Sequence, residues 1–139
     1  MNMKAFIDSD TILDLLAKRE LFYENAAKIF TLAYEKKQEL FTTAVVMANV
    51  FYILRKIRGN EEAKRQLRDL RILVHILPIT EAAVDLALNS KFTDFEDGLQ
   101  YFTSKENNIP VIITRNVKDY KAKDLLIQTP KEFLAITNG

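Results

Sequence analysis

The stretch FIDSDTILD, residues 6–14, joins an apolar run to an acidic segment, and the interpretation of the whole chain starts from it. Residues 4–8 predict a short buried strand, and residues 11–17 predict a helix. Ser9 or Asp10 is suited to cap this helix, because a short polar side chain accepts hydrogen bonds from the free N–H groups of a first turn. Asp8 has no such helix to cap. A role in a functional site is therefore favoured for Asp8, and a capping role for Asp10.

Helical and strand patterns alternate along the rest of the sequence. Further helices are predicted over residues 23–37, 44–54, 61–70 and 80–89, from Thr93 or Asp94 onward, and from Pro130 onward. Further strands are predicted over residues 40–43, 72–79, 109–114 and 125–128. No Asn-Gly or Asp-Gly dipeptide joins two predicted strands as a hairpin signal would. The predicted fold is therefore α/β with three layers, a central and mainly parallel sheet between helices, in one domain over residues 1–139.

Two apolar segments predict deep burial. The segment AVVMANVFYIL, residues 44–54, is apolar on all sides apart from Asn49, which predicts a helix inside the core. The segment ILVHILPI, residues 72–79, is rich in β-branched residues and predicts a buried strand. His75 lies within this strand and is the only histidine, so it is interpreted as a packed, hydrogen-bonded core residue.

The composition excludes several classes of protein. Of the 139 residues, 48% are hydrophobic and 28% are charged, which is typical of a folded globule. The chain has no Cys, so disulfides and thiolate metal sites are excluded. No apolar run approaches the roughly 18 residues that a membrane crossing needs, and a secretory signal is missing, so a cytoplasmic protein without a membrane partner is expected. The net charge of +1 leaves any binding of a polyanion to local basic clusters.

The segment DFED, residues 94–97, presents a second group of acids. Acids are favoured at the start of a helix, and Thr93 with Glu96 fits the capping box S/T-x-x-E. This leaves Asp97 unexplained, three residues after Asp94 on the same helix face. The adjacent Gly98 is unfavourable inside a helix, which requires a reason in close packing or in access to a site. Capping and chemistry therefore both remain open for this segment.

Asn49 and the acids together suggest a site built from oxygen ligands. An amide inside an apolar helix is unfavourable unless it is hydrogen bonded, so Asn49 either ties the core together or orients an acid or a metal. Zinc chemistry and histidine-based triads have little support with a single His, and glycine-rich phosphate loops are absent. Carboxylates and amides are the ligands that suit Mg²⁺ or Mn²⁺.

One enzyme class suggested by FIDSDTIL is the haloacid-dehalogenase-like phosphatases. These enzymes use the phrase D-x-D-x-T/V, in which the first Asp attacks phosphorus and the second acts as acid and base. The fit is partial, because Ile12 stands in the place of the Thr or Val and the later acids precede a helix.

A second class fits nearly the whole chain. Residues 3–134 resemble the PIN-domain nucleases, and among them the branch related to VapC-type toxins. The resemblance is carried by FIDSDTILDLL, FYILRK, DFEDGLQYF, VIITRNVKDY and TPKEFL, and DFEDGLQYF followed by TRNVKDY is its most specific part. It implies an α/β fold with a parallel sheet, acids at the carboxyl edge of the sheet, bound Mg²⁺ or Mn²⁺, and hydrolysis of RNA.

The resemblance also implies roles for particular residues. Asp8 matches the first acid of the family and Asp97 the third, so both are expected to hold the metal. The second acid of the family, usually a Glu, falls at Asn49, and the fourth, usually the Asp of a T-R-D phrase, falls at Asn116. The branch that this chain resembles carries Asn at both places, which implies a variant site.

Two further acids are available to replace the lost charge. Asp94 and Asp119 are both expected near the same edge of the sheet. The catalytic set implied by the resemblance is Asp8, Asn49, Asp94, Asp97, Asn116 and Asp119. A metal held there would acidify a water and neutralise the phosphate, so that in-line attack leaves a 5′-phosphate and a 3′-hydroxyl.

The resemblance also suggests partners. RNA is expected to contact Arg55, Lys56 and Arg58 through its phosphates, together with Thr114 and Arg115 beside the site. Likeness to toxins implies an antitoxin protein that covers the acidic cleft, and a homodimer. The amides at positions 49 and 116 leave an alternative open, namely a catalytically degenerate PIN scaffold that binds RNA or a protein without cutting.

Overall fold

The computed structural model describes residues 3–120 and 124–137. In this part of the chain five strands form one sheet: β1 (Met3–Ile7), β2 (Gln38–Thr43), β3 (Val74–Leu77), β4 (Val111–Ile113) and β5 (Leu126–Gln128). The helices are α1 (Ser9–Leu16), α2 (Tyr23–Tyr34), α3 (Ala44–Arg58), α4 (Asn60–Leu70), α5 (Glu81–Leu88), α6 (Phe95–Glu106) and α7 (Pro130–Thr137). A 3₁₀ turn covers Val117–Asp119. Within the described ranges, none of the helices has the length and apolar character that a membrane crossing requires.

The sheet is parallel throughout, with the strand order β3-β2-β1-β4-β5. The chain moves outward from β1 to β2 and β3, and then returns past β1 to β4 and β5. Because parallel crossovers are right-handed, this reversal places the helices before and after it on opposite faces. Helices α1 to α4 pack against one another, and α5 packs with α6. The predicted α/β fold with a parallel sheet between two helical layers is confirmed.

The core is centred on the two strands that flank the reversal. Residues 5–7 of β1 and 111–113 of β4 are consecutive buried residues, as expected for strands covered on both faces. Phe6 pairs with Phe41 of β2 on one side and with Ile112 of β4 on the other. Strand order therefore reverses between β1 and β4, and in such a sheet ligands bind beyond the carboxyl ends of the strands at this point.

The prediction that His75 is buried is wrong. β3 is an edge strand, so the sheet covers it on one side only, and His75 is exposed. Its ring lies against that of Phe41, with 5.1 Å between the ring centroids. An apolar strand pattern does not distinguish a central strand from an edge strand.

The prediction that residues 44–54 form a helix buried on all sides is also wrong. The buried residues of α3 are Val46, Val50 and Leu54, which recur every four residues and form a single stripe. Tyr52 and Ile53, on the other side of the helix, are exposed. Helices α1 and α4 pack against α3 but leave Tyr52 and Ile53 on its outer side open to solvent.

Candidate active site

The site lies where β1 and β4 end side by side. The backbone N–H of Asp8 donates to the carbonyl oxygen of Ile113 at 3.0 Å, which continues the ladder between the two strands by one residue. This contact brings the residue after β1 next to Thr114, the residue after β4. Two positions 106 residues apart in sequence are thereby fixed within hydrogen-bonding distance.

The Asp8 carboxylate is buried and accepts hydrogen bonds from three residues, with 5% of the residue exposed. Its Oδ1 accepts from the backbone N–H of Ser9 at 2.7 Å. Its Oδ2 accepts from the Thr114 hydroxyl at 2.9 Å and from the Tyr120 hydroxyl at 3.3 Å. Burial raises the pKa of Asp8 to about 6, and the neighbouring charge of Asp10 adds to the rise.

The assignment of roles to Asp8 and Asp10 changes with the structure. Helix α1 begins at Ser9, two residues earlier than predicted, and Asp8 is its N-cap. The statement that Asp8 has no helix to cap is therefore wrong, since Asp8 both caps α1 and faces the site. The prediction that Asp10 is the cap is wrong as well. Its Oδ2 accepts from the backbone N–H of Arg115 at 3.0 Å and from the Asn116 side chain at 3.2 Å, so it ties α1 to the loop after β4.

The start of α6 also differs from the predicted capping box. Asp94 is the N-cap, and its Oδ1 accepts from the backbone N–H of Asp97 at 3.1 Å. Glu96 therefore has no capping role. Its carboxylate turns toward α3, where Oε2 accepts from Asn49 Nδ2 at 2.6 Å and Oε1 accepts from Gln100 Nε2 at 3.2 Å. Glu96 is a member of the acidic group that sequence reasoning missed, although its i,i+4 spacing to Gln100 is a readable signal.

Asp97 experiences the strongest repulsion among these acids. It is half-buried, and burial together with the charges of Asp94, Asp8, Asp119 and Glu96 raises its pKa to about 7. The charges that act on it most strongly are thus all negative. Asp97 carries no hydrogen bond on its carboxylate from the described residues, so both oxygens are available to an outside ligand.

Gly98 positions Asp97 through close packing. A Cβ atom at position 98 would lie 3.2 Å from the Cβ of Ala87 and 3.4 Å from the Cβ of Phe92. The absence of a side chain therefore lets α6 approach α5 closely, with Asp97 on the next residue. Of the two reasons that the sequence left open for this glycine, the structure gives close packing.

The two amides that replace family acids each pair with another acid. Asn49 donates to Glu96, and Asn116 Nδ2 donates to Asp10. Carboxylates are therefore still present beside both positions, supplied by neighbouring residues of α6 and α1. Burial, followed by the charge of Asp94, raises the pKa of Glu96, while its hydrogen bonds from Asn49 and Gln100 act in the opposite direction.

The donor set fits a hard divalent cation. Carboxylate oxygens of Asp8 and Asp97 are close enough for their charges to interact, and the surrounding amides and hydroxyls are oxygen donors as well. Among the described residues, no three carboxylate or histidine side chains form a group that could hold a metal. This arrangement suits Mg²⁺, which uses one or two carboxylates and otherwise keeps water or substrate oxygens, better than it suits a metal enclosed entirely by protein ligands.

The residues predicted to contact RNA fall into two groups, and the first lies at the end of α3. Arg55, Lys56 and Arg58 are exposed in the last turn of α3. At 1.5 Å per residue, Arg58 lies about 14 Å further along the helix than Asn49. The three cations are thus not gathered with the acids, and contacts from them would reach RNA away from the bond that is cut.

The two remaining candidates are occupied inside the protein. Thr114 is fully buried and donates to Asp8, so its hydroxyl holds a site carboxylate, and its contact with RNA stays a prediction. The Arg115 guanidinium pairs with the buried Asp14, with Nε to Oδ2 at 2.7 Å and Nη2 to Oδ1 at 3.1 Å. Sequence reasoning missed Asp14 as well as Tyr120, because their partners are about 100 residues away and leave no local signal.

Comparison with known proteins identifies relatives of the chain. Residues 4–118 match the family described as PIN domain. Ribonuclease VapC1 of Aquifex aeolicus (strain VF5) is 29% identical over 138 residues, which cover 94% of this chain and 92% of that protein.

Solved structures share the fold over nearly the same extent. VapBC2 from Rickettsia felis, bound to a DNA fragment from its promoter, aligns with a TM-score of 0.69 at 15% identity and covers 91% of this chain and 98% of that chain. VapBC-1 from nontypeable Haemophilus influenzae aligns with a TM-score of 0.68 at 18% identity and covers 93% and 99%. At these identities the likeness establishes the common fold.

Proposed function

Since residues 4–118 match it, the chain belongs to the PIN-domain family, and on this premise we propose that it is a divalent-metal-dependent endoribonuclease, the toxin of a toxin–antitoxin pair. The ribonuclease named among its relatives supports the activity, and the VapBC structures support an antitoxin partner. The observation that carries the proposal is the acidic group at the reversal of the sheet. Its most strongly affected member, Asp97, has a pKa raised to about 7 by burial and by other carboxylates.

We assign the metal, Mg²⁺ or Mn²⁺, to Asp8 and Asp97. When bound there, the cation supplies neutralisation of phosphate charge and makes a water molecule a better nucleophile. Thr114 and Tyr120 hold the Asp8 carboxylate in place through their hydroxyls. Asp119 lies in the exposed 3₁₀ turn beside the site and is suited to position water.

Among the remaining side chains, one is suited to accept a proton and the others hold their neighbours in position. Hydrolysis forms a bond from the water oxygen to phosphorus, breaks the bond from phosphorus to the 3′-oxygen, and leaves a 5′-phosphate and a 3′-hydroxyl. Glu96, whose pKa is raised by burial, is suited to take the proton from the attacking water. Asn49 orients Glu96, and Asn116 orients Asp10. Asp94 holds the first turn of α6 by capping it.

We further propose one domain over residues 1–139, a cytoplasmic location and a homodimer, as expected for a VapC-like toxin. The phosphatase alternative is wrong, because the chain belongs to the PIN-domain family. A degenerate scaffold that binds without cutting is the second candidate, and Asn49 and Asn116 at the positions of family acids favour it. Titration with millimolar Mn²⁺ separates the two, because a degenerate site would bind no metal.

The test of the main proposal is RNA cleavage by the purified protein in Mg²⁺ or Mn²⁺. Asp97→Ala is expected to lower the cleavage rate by about a thousandfold, because it removes a metal-binding carboxylate, and EDTA is expected to abolish cleavage. Asp85→Ala, which removes an exposed acid of α5, is the matched control and is expected to leave the rate unchanged. Cleavage that survives both EDTA and Asp97→Ala would contradict the mechanism.

A further inference from the structure

A cleft of about 450 Å³ opens beside the acidic site, between the loop that joins α1 to α2 and the start of α7. Leu21 and Phe22 form one wall, and Pro130 and Lys131 form the other. Arg115 also lines the cleft. The apolar side chains are unusually open to solvent, since Leu21 is 85% exposed and Phe22 is 39% exposed. None of the lining residues is acidic, in contrast to the neighbouring metal site.

Ion pairs and hydrogen bonds fix the geometry of both walls. The Asp14 carboxylate, fully buried, pairs with Arg115 and also with Arg19 of the α1–α2 loop, at 3.6 Å from Nη1 to Oδ1. On the other side, Thr129 and Glu132 form a reciprocal capping box, in which each side chain accepts from the backbone N–H of the other, at 2.9 and 3.1 Å. The cleft is therefore held in shape before any ligand arrives, which lowers the entropy lost on binding.

The chemistry of the cleft suits a flat aromatic ring attached to a negative charge. The Arg115 guanidinium carbon lies 3.9 Å from the centroid of the Phe22 ring, so a planar cation and an aromatic ring already form a stacked pair there. Proteins that bind single-stranded RNA stack unpaired bases on aromatic rings and on arginine planes. Lys131 is exposed, forms no ion pair with another described residue, and supplies a cation for a phosphate group.

A second cleft adjoins this one along the loop after β4 and reaches Asp119 of the candidate site. It is about 610 Å³, shares Arg115 and Thr129 with the first, and is also lined by Asn116 and Asp119. A strand of RNA whose cleaved bond lies at the acidic site would therefore place a neighbouring nucleotide against Phe22. A bound protein segment would match the apolar wall equally well. It would not need the Arg115–Phe22 pair or the exposed Lys131.

We propose that the cleft of Leu21, Phe22, Arg115, Pro130 and Lys131 binds one unpaired nucleotide of the RNA substrate, adjacent to the cleaved bond. The base packs against Phe22, and Lys131 contacts the phosphate. This subsite rests on the proposed ribonuclease function and assigns to it a preference for single-stranded RNA at the nucleotide beside the cut.

The test measures RNA binding in an Asp97→Asn background, which removes the charge needed for cutting, with Ca²⁺ present. The probe is a fluorescein-labelled, random-sequence, single-stranded 12-mer RNA, and the dissociation constant is read by fluorescence polarisation. Phe22→Ala is expected to weaken binding by about fivefold to a hundredfold, the range for loss of one stacked base. Phe22→Trp keeps an aromatic surface and is expected to restore binding to within about twofold of the background value.

A second variant keeps the test valid if Phe22→Ala is unstable. Leu21→Glu changes a solvent-exposed side chain and places a negative charge in the cleft, so it is expected to weaken RNA binding by about tenfold. The matched control is Leu88→Glu, a leucine of α5 that is 66% exposed, and it is expected to have no effect. Thermal melts by circular dichroism check that each variant is folded.

The outcomes separate this inference from the proposed function. If the wild-type protein cleaves RNA while Phe22→Ala and Leu21→Glu bind the probe as tightly as their background, the subsite is wrong and the nuclease function stands. The same holds if these variants weaken binding to a protein partner and leave RNA binding unchanged. If the wild-type protein does not cleave RNA in Mg²⁺ or Mn²⁺ and no variant binds the probe, both proposals are overturned.

Discussion

Helix α1 carries two buried aspartates with opposite surroundings. Asp8, at its N-cap, is 5% exposed and lies among other acids, and its pKa is raised to about 6 by burial and by the charge of Asp10. Asp14, six residues later, is fully buried and pairs with two arginines, Arg115 and Arg19. The two carboxylates are thus alike in burial and differ in the charges that surround them.

This difference agrees with a structural role for Asp14 and with the functional role proposed for Asp8. A buried carboxylate is tolerated when cations and donors surround it, and Asp14 has both. Among the described residues, Asp8 has hydrogen-bond donors but no cationic partner, Asp97 has neither on its carboxylate, and the two carboxylates repel each other. The protein thus neutralises Asp14 with its own arginines, and the surroundings of Asp8 and Asp97 agree with the proposal that a divalent cation neutralises this second pair.

Removing Asp14 should have the largest effect on stability. Asp14→Ala leaves Arg115 without its bidentate partner and separates three segments that the carboxylate joins, so the free energy of unfolding is expected to fall by about 3 kcal/mol. Urea denaturation at neutral pH measures this change. The control is Asp69→Ala, which breaks an ion pair with Arg65 on the surface of α4.

The contrast between these two variants decides the prediction. Loss of the surface pair is expected to have an effect within the error of the measurement, because solvent screens it. An equally small effect of Asp14→Ala would contradict the structural role of Asp14. It would also remove the reason for treating the walls of the Phe22 cleft as rigid.

Removing the charge of Asp97 should have a smaller effect of opposite sign. Its pKa is raised from 3.8 to about 7, so the native state binds the proton more tightly than the unfolded chain does. Between about pH 4 and pH 7 the wild-type protein without metal should therefore lose stability as pH rises. Asp97→Asn should not undergo this loss of stability. At pH 8 it should therefore be more stable than the wild-type protein by about 1 to 2 kcal/mol, a value reduced for solvent screening of a half-buried group.

Urea denaturation in EDTA at pH 5 and pH 8 measures this effect. The variant and the wild-type protein should differ less at pH 5 than at pH 8, because only part of the loss has occurred at pH 5. Added Mn²⁺ should stabilise the wild-type protein more than the variant, because the cation binds the ionised carboxylate. A variant that is less stable than the wild-type protein at pH 8 would show that Asp97 is neutralised within the protein, as Asp14 is.

The sequence predicted the frame of this site better than its contacts. Alternating apolar patterns predicted the parallel sheet, and a parallel sheet brings the ends of β1 and β4 to one edge, which accounts for the correct placement of Asp8 at that edge. Helix boundaries are less well determined, because several polar residues in a row can each serve as cap. The sequence therefore could not show that Asp8 rather than Asp10 caps α1, or that Asp94 rather than Thr93 caps α6.

Contacts between residues far apart in the sequence could not be predicted, and the reason is physical. The pairing of Asp14 with Arg115 and the hydrogen bond from Tyr120 to Asp8 join residues that are 101 and 112 positions apart. Such contacts depend on the strand order and on loop paths, which the local pattern does not contain. Burial of His75 failed for the same reason, since its strand lies at the edge of the sheet only because of the strand order.

The smallest expected effect on stability comes from a substitution at Asn49, which tests whether the acidic group around Asp8 and Asp97 extends to α3. Asn49 donates to Glu96 at 2.6 Å and so provides the one strong donor from α3 to this carboxylate. Asn49→Asp replaces the donor with a second carboxylate, as the family usually has at this position. Without metal the variant should lose about 1 kcal/mol of unfolding free energy at pH 8, because a hydrogen bond to a charged group is exchanged for repulsion at a half-buried position.

Metal binding should change in the opposite direction. An added carboxylate beside the site should raise the affinity for Mn²⁺ by about threefold to tenfold, which isothermal titration calorimetry measures directly. The control is Asn60→Asp, which adds the same charge at the exposed start of α4 and should leave the Mn²⁺ affinity unchanged. If Asn49→Asp leaves the Mn²⁺ affinity unchanged, the side chain at position 49 does not reach the cation. The acids neutralised by the cation are then confined to Asp8, Asp97 and their immediate neighbours on α6.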